Sequence, residues 1–326
     1  MASPMRVVLT ALAGTLLGAS PVTQAQTYPG GQISLVVPFQ PGGPVDLIPR
    51  AIASKLAEVL GTAVIVENRP GAGGNVGSAY VAKARPDGLT LLATAGSALT
   101  DNKWLFKGLN YDPERDFAPI VRFADTPNVF VVPQDVQVRS VRELIQTVRA
   151  QPGLLNYGTP GSGTSPHLCM ELFGSAAGGL RFTHIPYKGG AEVVKDLLAN
   201  RIQISCSNMT PVISHIQGGR LRALAVTGRS RHPLLPEVPT VDESGLPGFE
   251  VIGWFALLAP AATPASTIDR LNAEVVKILR DPVIADRLKT FGVTAIGDSP
   301  AEFSRYMVAE MAKWRRLIEE TKLSVE

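Results

Sequence analysis

The sequence predicts an α/β protein of two lobes, each a mostly parallel sheet flanked by helices, with a hinge between the lobes. Three observations carry that expectation. Short β-rich apolar runs alternate with amphipathic stretches at helical spacing, the pattern of βα units. The 326 residues suit two medium domains with a large core. The runs also divide near 125–128 and 250–253, where the chain would cross from one lobe to the other and back. The expected organisation is a leader at 1–25, a first lobe of 26–126 with 252–326, and a second lobe of 127–251.

The leader comes first. Arg6 precedes an apolar run at 7–19, and the chain turns polar through Thr23 and Gln24. Thr23 and Ala25 are small residues at the offsets a signal peptidase needs to cut before Gln26. The run is too short to span a bilayer, so it reads as an export signal, with Met5 as an alternative start. No cysteine follows it to accept a lipid, and no later segment has the length and apolarity of a membrane span. The expected product is a soluble exported protein.

Strands are expected at 34–38, 63–67, 89–94, 118–124, 129–133, 155–158, 182–186, 203–207, 221–227 and 254–259. Between them, Ser140 with Glu143 and Ser299 with Glu302 form capping boxes, the second with Pro300 at the first helical position. Ser165-Pro166 and Thr210-Pro211 open two further helices. In the last helix Phe303, Met307, Met311, Trp314 and Ile318 recur at helical spacing, which predicts a buried stripe. A Pro-rich stretch at 233–239 and the turn at 245–248 make a long connection.

Charge excludes some functions. Removing a leader that carries only Arg6 leaves 30 basic against 28 acidic side chains, which gives no sign of a nucleic-acid or membrane-surface partner. An anion would have to be held by local geometry. Cys169 and Cys206 suit an oxidising compartment; two buried, inert thiols are the expectation, with a disulfide left open.

Several glycine loops lead from a strand into a helix. In 36–46, Gly42 and Gly43 let the backbone approach a ligand, and the positive end of the following helix favours an anion. Asp46 is the expected N-cap, with Pro49 in the first turn. In 157–167 three glycines, two threonines and two serines precede another helix, again converging amides and hydroxyls on its positive end. Gly158 and Gly163 have P-loop separation, but Thr164 stands where the lysine should be. Thr94, Gly96 and Ser97 form a third candidate loop, and Lys188 puts a cation beside a fourth, at Gly189 and Gly190. The loop at 67–77 invites a dinucleotide reading and fails it, because Val76 occupies the third glycine position.

Catalytic and metal patterns are thin. There is no His-Glu-x-x-His, Cys-x-x-Cys or Gly-x-Ser-x-Gly, and the histidines are scattered at 167, 184, 215 and 232. No cofactor is called for. An exported hydrolase would need Ser97 or Ser162 as nucleophile with His167 as base. Binding without reaction is the favoured reading.

The segments VPFQPGGPVD, VENRPGAGGNVG, RPDGLTLL, YGTPGSGTSPHL, HIPYKGGAEVVKDLL, LRALAVTG, LPEVPTVDESGLPGFE and WFALLAP, in this order, resemble the Bug-type substrate-binding proteins of tripartite tricarboxylate transporters. The resemblance covers the mature chain. It implies a type II-like periplasmic binding protein whose two lobes close on a small di- or tricarboxylate or acidic amino acid, then dock as a monomer on membrane subunits. It places Phe39, Pro41, Gly42, Gly43 and Asp46 on one side of the ligand and Gly158, Thr159, Gly161 and Thr164 on the other. The sequence departs from the family pattern at Pro44, Pro49 and 204–208, so Asn208 and its neighbours bear on ligand identity. A ligand-presenting sensor for a signalling receptor is the alternative within the same fold.

Overall fold

The computed structural model describes residues 28–321, so the expected leader lies outside the described residues. The chain opens with β1 (Ile33–Val37), α1 (Pro44–Leu60), β2 (Val64–Asn68), α2 (Asn75–Ala82) and β3 (Thr90–Ala95), followed by the short helices α3 (Ser97–Thr100) and α4 (Asn102–Leu105). β1 lies between β2 and β3 and is parallel to both, the arrangement right-handed βα crossovers produce. Strands buried on both faces explain the unbroken apolar runs. Leu35, Val37, Leu91 and Ala93 pack into one cluster, while Val36 and Leu92 pack into another across the sheet.

β4 (Phe117–Pro133) is a single 17-residue strand where the sequence suggests two shorter ones. The polar interruption at Thr126, Pro127 and Asn128 hides its continuity. Backbone pairing keeps the chain extended there, because Asp125–Pro127 pair with 252–254 and Asn128–Val131 pair with 205–208. β4 therefore belongs to two sheets in turn.

The middle of the chain supplies α5 (Val141–Ala150), β5 (Asn156–Thr159), α6 (Ser165–Ala176), β6 (Thr183–Pro186), α7 (Gly190–Leu198), β7 (Ser205–Asn208), α8 (Met209–Gln217) and β8 (Leu221–Val226). β5 and β6 are parallel; β7 and β8 run antiparallel to the second half of β4. Alternation again feeds two clusters, with Phe130 and Val132 on one face and Val129 and Val131 on the other. Both capping boxes form: Ser140 Oγ accepts the Glu143 amide at 3.1 Å, and Ser299 Oγ the Glu302 amide at 3.3 Å.

β9 (Ile252–Pro260) returns the chain to the first sheet between β3 and β4, antiparallel to both. With β7 and β8 antiparallel to β4, the sheets are mixed rather than mostly parallel as the βα pattern suggests, because β4 runs through both and takes antiparallel neighbours in each. α9 (Ala265–Leu279), α10 (Pro282–Thr290), β10 (Thr294–Ala295) and α11 (Pro300–Thr321) complete the fold. The α11 stripe is buried as its spacing predicts. Phe303, Met307 and Met311 pack against the first sheet, whereas Trp314 and Ile318 join a cluster of the second. Cys169 and Cys206 form a disulfide from α6 to β7, which corrects the expectation of two free thiols. Thirty-seven residues separate them, so only the fold could bring them together.

Candidate ligand-binding cleft

The first wall is built on α1. Gly43 is its N-cap, with extended backbone (φ −88°, ψ 169°), and Pro44 opens the helix, where a missing N–H is harmless. Asp46 is not the N-cap expected of it. It is the third helical residue; its Oδ2 accepts the Gly42 amide at 3.0 Å, and its Oδ1 accepts Arg50 Nε and Asn68 Nδ2, both at 2.9 Å. Burial pushes this carboxyl up, but the bonds from Arg50, Asn68 and Gly42 outweigh it and hold it below its ordinary value. Asp46 thus braces the loop and consumes the Gly42 amide. Pro49 lies a turn deeper than expected, inside the helix, and denies Val45's carbonyl its usual i+4 donor.

The second wall comes from the helix starts of the other sheet. Thr164 caps α6, and its hydroxyl donates to the Gly161 carbonyl at 2.7 Å. Gly189 caps α7 and Asn208 caps α8. Asn128, at the point where β4 changes sheets, ties this wall together. Its Nδ2 donates to Ser165 Oγ and its Oδ1 accepts Asn208 Nδ2, both at 2.8 Å. Ser165 accepts in this bond, so its own hydroxyl hydrogen stays free.

Between the walls lies a cavity of about 850 Å³, counting space open to solvent, with Ile252–Phe255 of β9 and Trp314 of α11 contributing to its lining. Of the residues the sequence singles out, Phe39, Gly43, Gly96, Ser97, Thr164 and Asn208 line it. Gly161 and Lys188 instead line an adjoining cavity that shares Phe39, Gln40 and Pro160, and Lys188 is exposed there. Pro41, Gly42, Asp46, Thr94, Gly158 and Thr159 line neither. Gly158 and Thr159 are engaged within the wall itself. Gly158 gives its amide to Ile204 O, and a Cβ there would meet Ile202 Cδ1 at 2.3 Å. Thr159 Oγ1 is taken up by Gly161 O and by His184 Nε2 at 2.7 Å. Gly96 makes room for the Trp254 indole, which a Cβ would meet at 2.1 Å.

Four helices of nine residues or more, α1, α6, α7 and α8, bring their first turns to this cavity. Each N-terminus carries roughly half a positive charge in unpaired amides. Among the described residues, the amides of Gly43, Val45, Ser165, Gly189 and Gly190 have no protein acceptor and remain available to a ligand. No lysine, arginine or histidine among the described residues lines the cavity, and Asp101 is its only ionisable side chain. What the lining offers an anion is backbone amides and helix ends, with no cationic side chain.

Sequence reasoning missed Ser165, Gln40, Trp254, Trp314 and Asp101 in the lining. Ser165 lies in the second glycine loop and could have been chosen; Trp314 reads as part of the buried stripe of the last helix and Trp254 as the start of a strand. The fold also gathers two histidines that look scattered. His167 and His184 stack at 4.3 Å between ring centroids, and Tyr157 stacks on His184 at 4.7 Å. Burial, with His184 alongside, lowers the His167 pKa to about 3; burial alone lowers that of His184 to about 4.

Comparison with known proteins agrees with this geometry. Residues 48–323 match the model of the "Tripartite tricarboxylate transporter family receptor". BugT of Bordetella pertussis (strain Tohama I) is 35% identical over 304 residues, covering 93% of each chain. The solved structure of Rpa4515 from R. palustris with adipate superposes with a TM-score of 0.88 at 34% identity, covering 91% of this chain and 100% of that one. MatC from Rhodopseudomonas palustris with bound malate gives 0.85 at 28% identity, covering 89% and 100%. With the motifs, the two-lobed fold and these matches in agreement, the chain belongs to the tripartite tricarboxylate transporter receptor family.

Proposed function

We propose that this protein is a periplasmic receptor that closes on a small carboxylate and delivers it to the membrane subunits of a tripartite transporter. One observation carries the reading: four helix N-termini and their free amides face a cavity that holds no cationic side chain. Such a site suits an anion that is bound and later released, because dipoles and amides attract it without a permanent ion pair. The adipate and malate bound by Rpa4515 and MatC support a dicarboxylate as the class.

The ligand-binding residues we assign are Phe39, Gly43, Gly96, Ser97, Thr164 and Asn208, joined by Gln40 and Ser165. The lobes we assign are 26–126 with 252–326, and 127–251; the change of pairing partner at Asn128 of β4 supports the first crossing. The reading is non-catalytic. His167, the base a serine nucleophile would need, accepts the Gly163 amide at its Nδ1 (3.2 Å) and stacks on His184. No described helix is long and apolar enough to cross a membrane. We read the mature protein as a monomer starting at Gln26, which N-terminal sequencing of periplasmic material checks.

A thermal-shift panel tests the ligand class. Succinate, malate, adipate, citrate and aspartate are compared with a neutral sugar and a cationic amine. Ligand at a hundred times its Kd stabilises by about 2.7 kcal/mol, a readily measured shift. Stabilisation by the amine or sugar and by none of the acids refutes the carboxylate reading.

A further inference from the structure

The cavity contains one acidic group that an anion site would be expected to avoid. Ser97 and Asp101 are four residues apart along α3 and its C-cap, hence on one face, and both line the cavity. Ser97 is 5% exposed and its hydroxyl has no hydrogen-bond partner. Asp101 is 2% exposed, and among the described residues its carboxyl bonds to Thr100 alone. The Thr100 hydroxyl has one hydrogen and two acceptors in reach, Gly96 O at 3.0 Å and Asp101 Oδ1 at 2.5 Å. Gly96 O already receives the Leu99 and Thr100 amides at 2.8 and 2.9 Å, so the hydroxyl is free to serve Oδ1. That arrangement leaves Oδ2 without a protein partner, as the natural seat of a proton.

The surroundings favour keeping that proton. On α11, Glu310 accepts Trp314 Nε1 at 3.0 Å and Lys313 Nζ at 3.3 Å. Burial raises the Asp101 carboxyl well above its ordinary range, Thr100's bond opposes the rise, Glu310's charge adds to it, and Lys313 opposes it. Tyr111 is the remaining titratable neighbour, and its hydroxyl is engaged by Ala98 O at 2.6 Å and Asn75 Oδ1 at 3.0 Å.

We infer that Ser97 and a protonated Asp101 form a second, uncharged donor subsite that binds one carboxylate of a dicarboxylate ligand, making capture proton-linked. The inference rests on the carboxylate reading of the cleft. Asp101 Oδ2–H and Ser97 Oγ–H donate to the ligand oxygens, whereas an ionised Asp101 would repel them. The ligand-bound protein therefore holds its Asp101 proton to higher pH than the free protein. Above the free protein's pKa, binding takes up one proton, and the Kd rises tenfold per pH unit.

Calorimetry with adipate from pH 6 to 9, in buffers of different ionisation enthalpy, tests this. Wild type should weaken toward the tenfold-per-unit slope, with proton uptake approaching one. Asp101→Asn, which offers N–H in place of O–H, should bind without slope or uptake. Ser97→Ala should weaken binding roughly tenfold and keep the slope. Adipate binding by wild type without pH dependence or proton uptake overturns the inference and leaves the carboxylate reading intact. If none of succinate, malate, adipate, citrate and aspartate binds, the carboxylate reading falls. The Asp101 carboxyl ¹³C resonance of the free protein, assigned by its loss in Asp101→Asn, then decides separately. A neutral-acid shift at pH 7 sustains the protonated group, and an ionised shift overturns it.

Discussion

Gly73 offers a way to separate closure of the cleft from folding. It lies in the glycine-rich loop before α2, at φ +62°, and an added Cβ would stand 2.4 Å from the Ser162 carbonyl in the loop before α6. Real Cβ atoms do not approach below 3.0 Å, so Gly73→Ala must push the loops apart by at least 0.6 Å. Two costs follow, and they fall on different measurements. The left-handed backbone costs alanine roughly 1–2 kcal/mol whether the cleft is open or closed, so it appears in the stability of the free protein. The collision exists only where the loops meet, so it appears in binding. Overpacking of this kind costs about 1–3 kcal/mol, or roughly 5- to 150-fold in Kd. Urea denaturation of the free variant and calorimetric titration with its best carboxylate measure the two separately. Wild-type affinity in a folded Gly73→Ala protein would refute the reasoning, because closure would then not bring these backbones together.

Three further outcomes are expected. Replacing Cys169 and Cys206 with serine opens a loop of 37 residues' separation and should cost about 4 kcal/mol on the chain-entropy account; a change below about 1 kcal/mol in urea denaturation would contradict it. Gly43 has ordinary φ, and a Cβ there meets nothing within 4 Å. Gly43→Leu should therefore melt within about 0.5 kcal/mol of wild type yet lose carboxylate binding, and retained affinity would move the amide cradle elsewhere. His167, with its pKa lowered to about 3, favours folding above the unfolded value near 6.5 and loses that contribution as pH falls. The loss is about 1.4 kcal/mol per pH unit, so stability measured from pH 7 to 4.5 should decline less steeply in His167→Gln; an unchanged slope would refute it.

Much of the fold can be read along the chain. Strand alternation, the two capping boxes and the α11 stripe follow from local periodicity and side-chain hydrogen bonding, and each is present. The continuity of β4 is not legible, because Thr126 to Asn128 look like a break until β9 and β7 supply their partners. Nor is the role of Asp46. As a residue type it suits an N-cap, and only Arg50 and Asn68 reveal it as the brace behind the loop.

For the site, residue order and composition already imply that glycine loops lead into helices and that no bulk charge would gather an anion. Those are local properties of composition and backbone. Which loops face one another is a matter of the folded chain, because side chains far apart in sequence meet only through sheet pairing and helix packing. Folding turned Gly158 and Thr159 inward, set Ser165 and Asn208 on the Asn128 hub, and joined Cys169 to Cys206. It also brought Asp101 within reach of the charge of Glu310, more than two hundred residues later, where burial and that charge raise an ordinary aspartate well above its usual range.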